Sequence, residues 1–202
     1  MKKIITLSFI LLASFSFAQN SFGVTAGGQT SGITNAKIGD NQNGYGAYAG
    51  FYYRASLDDN FSFQTELAYS YQNIRNLDVF APSGIAENSL MMDYKYQLHY
   101  IKLPLLLRYQ PNKIYGEIGS ELTYLLSGKI RNENEEANFK NDSDLKNINA
   151  LQFNVAVGAG YQINEKLSTG FRFTWGITPI SRNLPYDIKV FNIALGINYT
   201  IF

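Results

Sequence analysis

His99 is the only histidine among 202 residues, and the chain contains no cysteine. Thiol nucleophiles, disulfides and thiolate metal sites are therefore excluded, and any imidazole acting as a general base must be His99. Hydrolytic or transfer chemistry would need His99 beside a serine or a carboxylate, and no nearby serine can be assigned as that partner from the chain itself. The most charged stretch, residues 129–146, carries Glu133, Glu135, Glu136, Asp142 and Asp144 against Lys129, Arg131, Lys140 and Lys146. Within it Asn141-Asp142-Ser143-Asp144 has the opening of a calcium loop but lacks the glycine and the closing glutamate at loop spacing, so a solvated loop is expected. No other cluster has metal-ligand spacing, and the glycines follow strand parity and precede no helix, so no phosphate-binding loop is expected. Neither a cofactor nor a metal is expected. What remains is a set of seven charges, Arg54, Glu66, Lys102, Arg108, Glu117, Glu121 and Arg172, each on the polar face of an alternating apolar stretch.

The elements that carry these charges read as strands. Residues 151–163 alternate strictly: Leu151, Phe153, Val155, Val157, Ala159, Tyr161 and Ile163 share one face, and Gln152, Asn154, Ala156, Gly158, Gly160 and Gln162 share the other. Period-two alternation marks strands with two different environments. It recurs in 167–177 and in the last strand to Ile201, and earlier in 22–30, 45–57, 61–73, 94–109 and 114–126. Eight strands are predicted, several longer than the five or six residues usual in soluble proteins. Their connections alternate in length, with short turns at 58–60, 111–113 and 164–166 and long loops at 31–43, 74–93, 127–147 and 178–187. Short turns at one end and long loops at the other is the layout of a transmembrane antiparallel up-and-down barrel.

A soluble lipocalin-like barrel would carry the same alternation with its apolar face inward. The composition of the polar face argues against it. Gly, Ala and Ser crowd that face beside only seven charges, whereas a water-facing surface needs far more Lys and Glu. Small residues with few charges suit a narrow interior, and aromatics near strand ends (Phe61, Phe63, Tyr109, Trp175, Tyr199) suit interfacial girdles. His99 has outward parity near the outer end of its strand, where an amphipathic ring packs at the lipid interface; that reading is preferred to a catalytic one. An eight-stranded barrel is just wide enough for side chains to fill it. Antiparallel pairing around 111–113 brings Arg108 near Glu117 and Lys102 near Glu121, and around 58–60 it sets Arg54 diagonal to Glu66. The seven charges are thus expected to form a structural ion-pair network that plugs the interior.

The amino terminus has the form of an export signal. Lys2 and Lys3 precede an apolar stretch over 4–17, and Ser16-Phe17-Ala18 supplies small residues for cleavage after Ala18. Some 14 apolar residues are short of the ~20 a membrane-spanning helix needs. The expected domains are a cleaved signal peptide at 1–18 and a barrel at 19–202, whose charge falls from +1 to −1 once Lys2 and Lys3 are gone. This balance leaves no electrostatic case for nucleic acid. With eight strands both termini face the periplasm. In the second long loop, Val79-Phe80-Ala81-Pro82 and Leu90-Met91-Met92 are apolar and are expected to fold over the barrel mouth in preference to meeting a partner.

The fourth strand reads Tyr100-Ile101-Lys102-Leu103-Pro104-Leu105-Leu106-Leu107-Arg108-Tyr109. A proline forfeits a ladder hydrogen bond, so Pro104 is expected to mark a bulge with a register slip beyond it. This segment, with Gly23, Gly27 and Gly28 in the first strand, Gly158 and Gly160 in the sixth and a barrel-closing last strand, resembles the PorT-like family of outer-membrane β-barrel proteins. The resemblance implies a small eight-stranded barrel with no catalytic residues to carry over and a link to protein secretion or surface assembly. Barrels usually end on an aromatic in phase with the lipid-facing set; here Tyr199 and Ile201 hold that phase and Phe202 falls one residue out of it. The expectation as a whole is a monomeric integral outer-membrane protein that meets outer-membrane lipid and, during biogenesis, the barrel-assembly machinery. It would act as a structural or interaction protein through its exterior loops, with an envelope or secretion-system protein as partner. The competing functions are a narrow transporter or lipophilic-ligand binder and, behind them, a lipid-modifying enzyme.

Overall fold

The computed structural model describes residues 20–34, 44–77, 93–132, 149–179 and 189–202. The segment 1–18 and most of each long loop, including the apolar residues of the second and the acidic run of the third, lie outside the described residues. Eight strands form one closed antiparallel barrel: β1 (Ser21–Thr34), β2 (Gly44–Ser56), β3 (Phe61–Leu77), β4 (Asp93–Tyr109), β5 (Ile114–Asn132), β6 (Leu151–Gln162), β7 (Leu167–Gly176) and β8 (Lys189–Thr200). Each strand pairs with its sequence neighbour, and β1 closes on β8 from Gly23↔Thr200 to Thr34↔Lys189.

The short turns are fixed by acidic or amide side chains that cap the following backbone, the usual role of Asx residues. Asp58 Oδ1 accepts from the amides of Asn60 and Phe61, each at 2.8 Å. Asn112 Oδ1 accepts from Ile114 N at 2.8 Å, and Asn164 Oδ1 from Lys166 N and Leu167 N at 2.9 Å.

Alternation sorts the side chains as the composition of the two faces requires. Outward are large apolar groups such as Leu67, Ile118, Phe171 and Leu195, 54–67% exposed. Inward are Gln64, Ser70 and Arg108, each 0% exposed. An apolar surface of this extent is stable only in a hydrocarbon solvent, and a closed barrel leaves no strand edge unpaired in it. Aromatic contacts ring both ends. Phe61 and Tyr109 lie 4.8 Å apart by centroid near the short turns, and Phe173, Trp175 and Phe191 cluster toward the long loops.

Three sequence expectations change. β3, β4 and β5 run 17–19 residues against 10–12 for β6 to β8, so the second and third long connections are shorter than the alternation suggests. About 9–11 tilted residues cross a bilayer, so this side of the barrel projects beyond it. Backbone pairing continues wherever a neighbour exists, even after alternation has ended. Pro104 also marks no register slip: Thr65↔Leu105 and Ala68↔Lys102 keep one register across it, with Glu66 and Leu67 simply unpaired there. The missing N–H is confined to the β3 side, because pairing with β5 is unbroken at Pro104↔Glu121. The irregularity lies instead at Leu126, where β5 carries one extra residue between the partners of His99 and Tyr100. Finally, Phe202 joins the outward aromatics despite its parity. Strand β8 ends at Thr200, which frees Phe202 to stack on Phe22 at 5.6 Å, and Phe22 in turn stacks on Phe51 at 5.8 Å.

Candidate functional site

The inward face of the barrel carries the charged chemistry, in two layers. The layer nearer the short turns is organised by Arg172 on β7. Its Nη1 and Nη2 donate to the two carboxylate oxygens of Glu66 on β3 at 2.9 and 2.7 Å, and its Nε donates to Glu117 Oε1 on β5 at 2.7 Å. Glu117 Oε2 accepts from Arg108 Nη2 at 3.2 Å, and Arg108 lies over the Tyr115 ring at 3.7 Å. A row of registered pairs explains the reach: Arg108↔Glu117, Glu117↔Gly158 and Gly158↔Arg172 span β4 to β7. Gly158 leaves the space through which the Arg172 side chain meets Glu117; a Cβ there would stand 2.9 Å from the Glu117 carboxylate.

The second layer, toward the long loops, is built around Gln29 on β1. Gln29 Oε1 accepts from Lys102 Nζ at 3.0 Å and from Asn192 Nδ2 at 3.2 Å, and its Nε2 donates to Ser70 Oγ at 2.6 Å. Lys102 stands 3.9 Å from Glu121. The Glu121 carboxylate also accepts from Thr123 Oγ1 at 3.2 Å and Asn154 Nδ2 at 3.4 Å. Buried charges persist only with such partners.

All seven sequence-predicted residues stand on the inward face, and Arg108–Glu117 and Lys102–Glu121 are paired across β4 and β5. Arg54 and Glu66 are not an ion pair. Gln64 stands between them, accepting from Arg54 Nε at 2.9 Å and donating to Glu66 Oε1 at 2.7 Å. Direct pairing of Arg54 with Gln64 leaves Glu66 diagonal, and the cross-barrel Arg172 takes the carboxylate. The contribution of Gln29, Gln64, Asn154 and Asn192 was missed by reading charges alone. Their even phase with the charged residues, or odd phase in β1, was the available signal.

Tyrosines set against glycines shape the rest of the interior. Gly160↔Gly170, Gly170↔Gly196 and Gly196↔Gly27 form a row across β6, β7, β8 and β1. The ring of Tyr115 lies against Gly160 and Gly170, and that of Tyr48 against Gly27 and Gly196. Here glycine is required because the approaching ring occupies the place of a Cβ. Tyr52 crosses Gly23 in the same way to bond Thr200 Oγ1 at 2.7 Å. Among the described residues, gaps of about 20 Å³ remain in the interior, and Lys102, Glu121, Thr174 and Asn192 line two of them in common. Each has room for roughly one water molecule.

His99 is outward. Its Nδ1 hydrogen-bonds the Tyr69 hydroxyl, and its ring lies 5.2 Å from that of Tyr71. Ser127 is its registered partner on β5, at the Leu126 irregularity, a pairing across 28 residues that the chain order conceals. Aromatic contact and one hydrogen bond each contribute about 1 kcal/mol. His99→Ala is accordingly expected to lower stability by about 1 kcal/mol in a chemical-denaturation measurement and to leave the folded yield intact.

Among solved structures, Neisserial surface protein A (NspA) matches with a TM-score of 0.52 at 13% identity, over 90% of this chain and 99% of that one. Ail, the attachment invasion locus protein of Yersinia pestis, gives 0.48 at 13% identity over 90% and 99%, and OprG from Pseudomonas aeruginosa 0.44 at 14% over 91% and 97%. At such identity the likeness to NspA is one of fold. No curated protein sequence matches the chain. A family model described as an outer membrane protein beta-barrel domain matches residues 17–182. With a closed eight-stranded barrel, a lipid-facing apolar surface and a polar core, the chain belongs to this outer membrane β-barrel family and is an integral outer-membrane protein.

Proposed function

We propose that this barrel is a non-conducting, non-enzymatic scaffold that acts through its long-loop end, as a PorT-like component linked to secretion or surface assembly. The observation that carries the reading is Arg172, which ties β3, β5 and β7 together across the lumen through Glu66 and Glu117. A bridge of that kind, with gaps of water size beside it among the described residues, supports a barrel that does not conduct. The prolonged β3, β4 and β5 raise one wall at the long-loop end and supply a platform for an envelope or secretion-system partner. The short-turn end and both termini face the periplasm in this reading, after removal of residues 1–18, and the barrel works as a monomer in outer-membrane lipid. The Pro104 strand motif supports the PorT-like assignment. His99, held by Tyr69 and Tyr71, serves as an interfacial anchor.

The test has two parts. Purified protein in planar bilayers is expected to give no porin-like conductance steps, and stable steps would turn the reading toward a narrow transporter. Cross-linking in intact envelopes is expected to recover a stoichiometric partner through the long loops. Recovery of the barrel alone, under conditions that capture known envelope complexes, would make it free-standing.

A further inference from the structure

We propose that the short-turn end of the barrel interior binds a small inorganic anion between Arg54 and Arg108. The proposal is independent of the role assigned to the long loops. Among the described residues the inward charges are four cations and three carboxylates. Glu66 is engaged by Arg172, Glu117 is shared by Arg172 and Arg108, and Glu121 faces Lys102. Arg54 is left over. Its Nε donates to the neutral Gln64 at 2.9 Å, its guanidinium lies 5.2 Å from the centroid of the Tyr52 ring, and its Nη2 is buried without a partner.

Arg108 has a related deficit. It is 0% exposed, only its Nη2 reaches Glu117, and its Nε and Nη1 are buried with no hydrogen-bond acceptor. Strand pairing brings the two arginines together. Arg54 is registered with Gln64 and Arg108 with Ser62, so they flank β3 two positions apart, with Ser62, 8% exposed, beside them.

A guanidinium in a protein does not give up its proton, and an unpaired buried charge is costly. Water would satisfy the spare N–H groups but would leave the excess charge in place; an anion does both. The geometry also limits its shape. Nε and Nη1 of Arg108 do not share an edge of the guanidinium, so they cannot hold a planar carboxylate side-on in the bidentate manner. A spherical ion that accepts one N–H from each arginine fits this arrangement, and chloride is the simplest. Arg54 is half-buried and lies two residues from the end of β2 at Ser56, so the site stands next to the short-turn mouth.

The experiment uses the full chain, folded in neutral detergent, with bromide as the heavy probe and gluconate as an anion too large to enter. The melting temperature of the wild-type protein is expected to be higher in chloride or bromide than in gluconate at equal ionic strength. Anomalous diffraction from crystals in bromide is expected to show a peak within hydrogen-bonding distance of both Arg54 and Arg108. Arg54→Gln should abolish both responses and, in gluconate, should melt no lower than the wild type, because it removes an uncompensated charge. A purely structural Arg54 would instead make the variant weaker in every salt. Equal melting in all three anions, water alone at the site, or bromide only at scattered surface positions overturns the proposal. The wild-type bromide map decides the question even if the variant does not refold.

Discussion

Replacing Arg172 with alanine is expected to destabilise the barrel by about 3–5 kcal/mol, the usual effect of removing one partner of a buried ion pair. The size follows from what is left behind. Glu66 is 2% exposed and Glu117 6%, and Arg172 makes three hydrogen bonds to them at 2.7–2.9 Å. Glu117 would keep Arg108 at 3.2 Å, whereas Glu66 would keep only the amide of Gln64. Urea-induced unfolding in lipid vesicles, followed by the fluorescence of the single tryptophan, Trp175, measures the loss. Combining Arg172→Ala with Glu66→Gln removes the stranded carboxylate and is expected to recover much of it, since coupled partners are strongly non-additive. A loss below about 1 kcal/mol for the single variant, the range of exposed ion pairs, would mean that water fills the lumen and that the side-chain plug is wrong.

Gly196→Val is expected to cost about 1–3 kcal/mol through overpacking and to lower the yield of folded barrel. Gly196 is paired with Gly170 on one side and Gly27 on the other, at the seam where β8 closes on β1. A side chain there would run into the Tyr48 hydroxyl and come within 3.0 Å of the Ala26 carbonyl. Tyr48 can be removed and the carbonyl cannot. Gly196→Val in a Tyr48→Ala background should therefore be milder than in the wild type without becoming neutral. Gly28, whose Cβ would meet nothing within 4 Å, provides the control: Gly28→Val is expected to fold normally. The comparison is read from the fraction of protein that migrates as the compact form in unheated gels. Equal effects at both positions would show that β propensity matters here and close ring packing does not.

Much of this architecture is written in the chain. Period-two alternation over 151–163 and its counterparts gives the strands, because successive side chains in a strand point to opposite faces. The small, sparsely charged inner face distinguishes a filled lumen from a water-facing surface. Together with the turn residues Asp58, Asn112 and Asn164, these signals are local and need no knowledge of the closed ring. Hairpin neighbours are legible as well. Arg108 and Glu117 are nine residues apart around one turn, so their meeting is fixed by antiparallel pairing alone.

Closure of the barrel decided the rest. Arg172 and Glu66 are 106 residues apart on non-adjacent strands, and they meet only because the sheet curls until β3 and β7 face each other across a narrow lumen. The same holds for Lys102 and Gln29 on β4 and β1. Chain order states which face a residue occupies. It does not state how far the sheet curls or how the strands are staggered, and those two quantities choose partners inside a barrel. Hence the sequence by itself determined a two-faced membrane strand set with a charged interior, while the tertiary structure alone decided that Gln64 intervenes between Arg54 and Glu66, that Arg172 claims two carboxylates, and that Arg54 has none among the described residues.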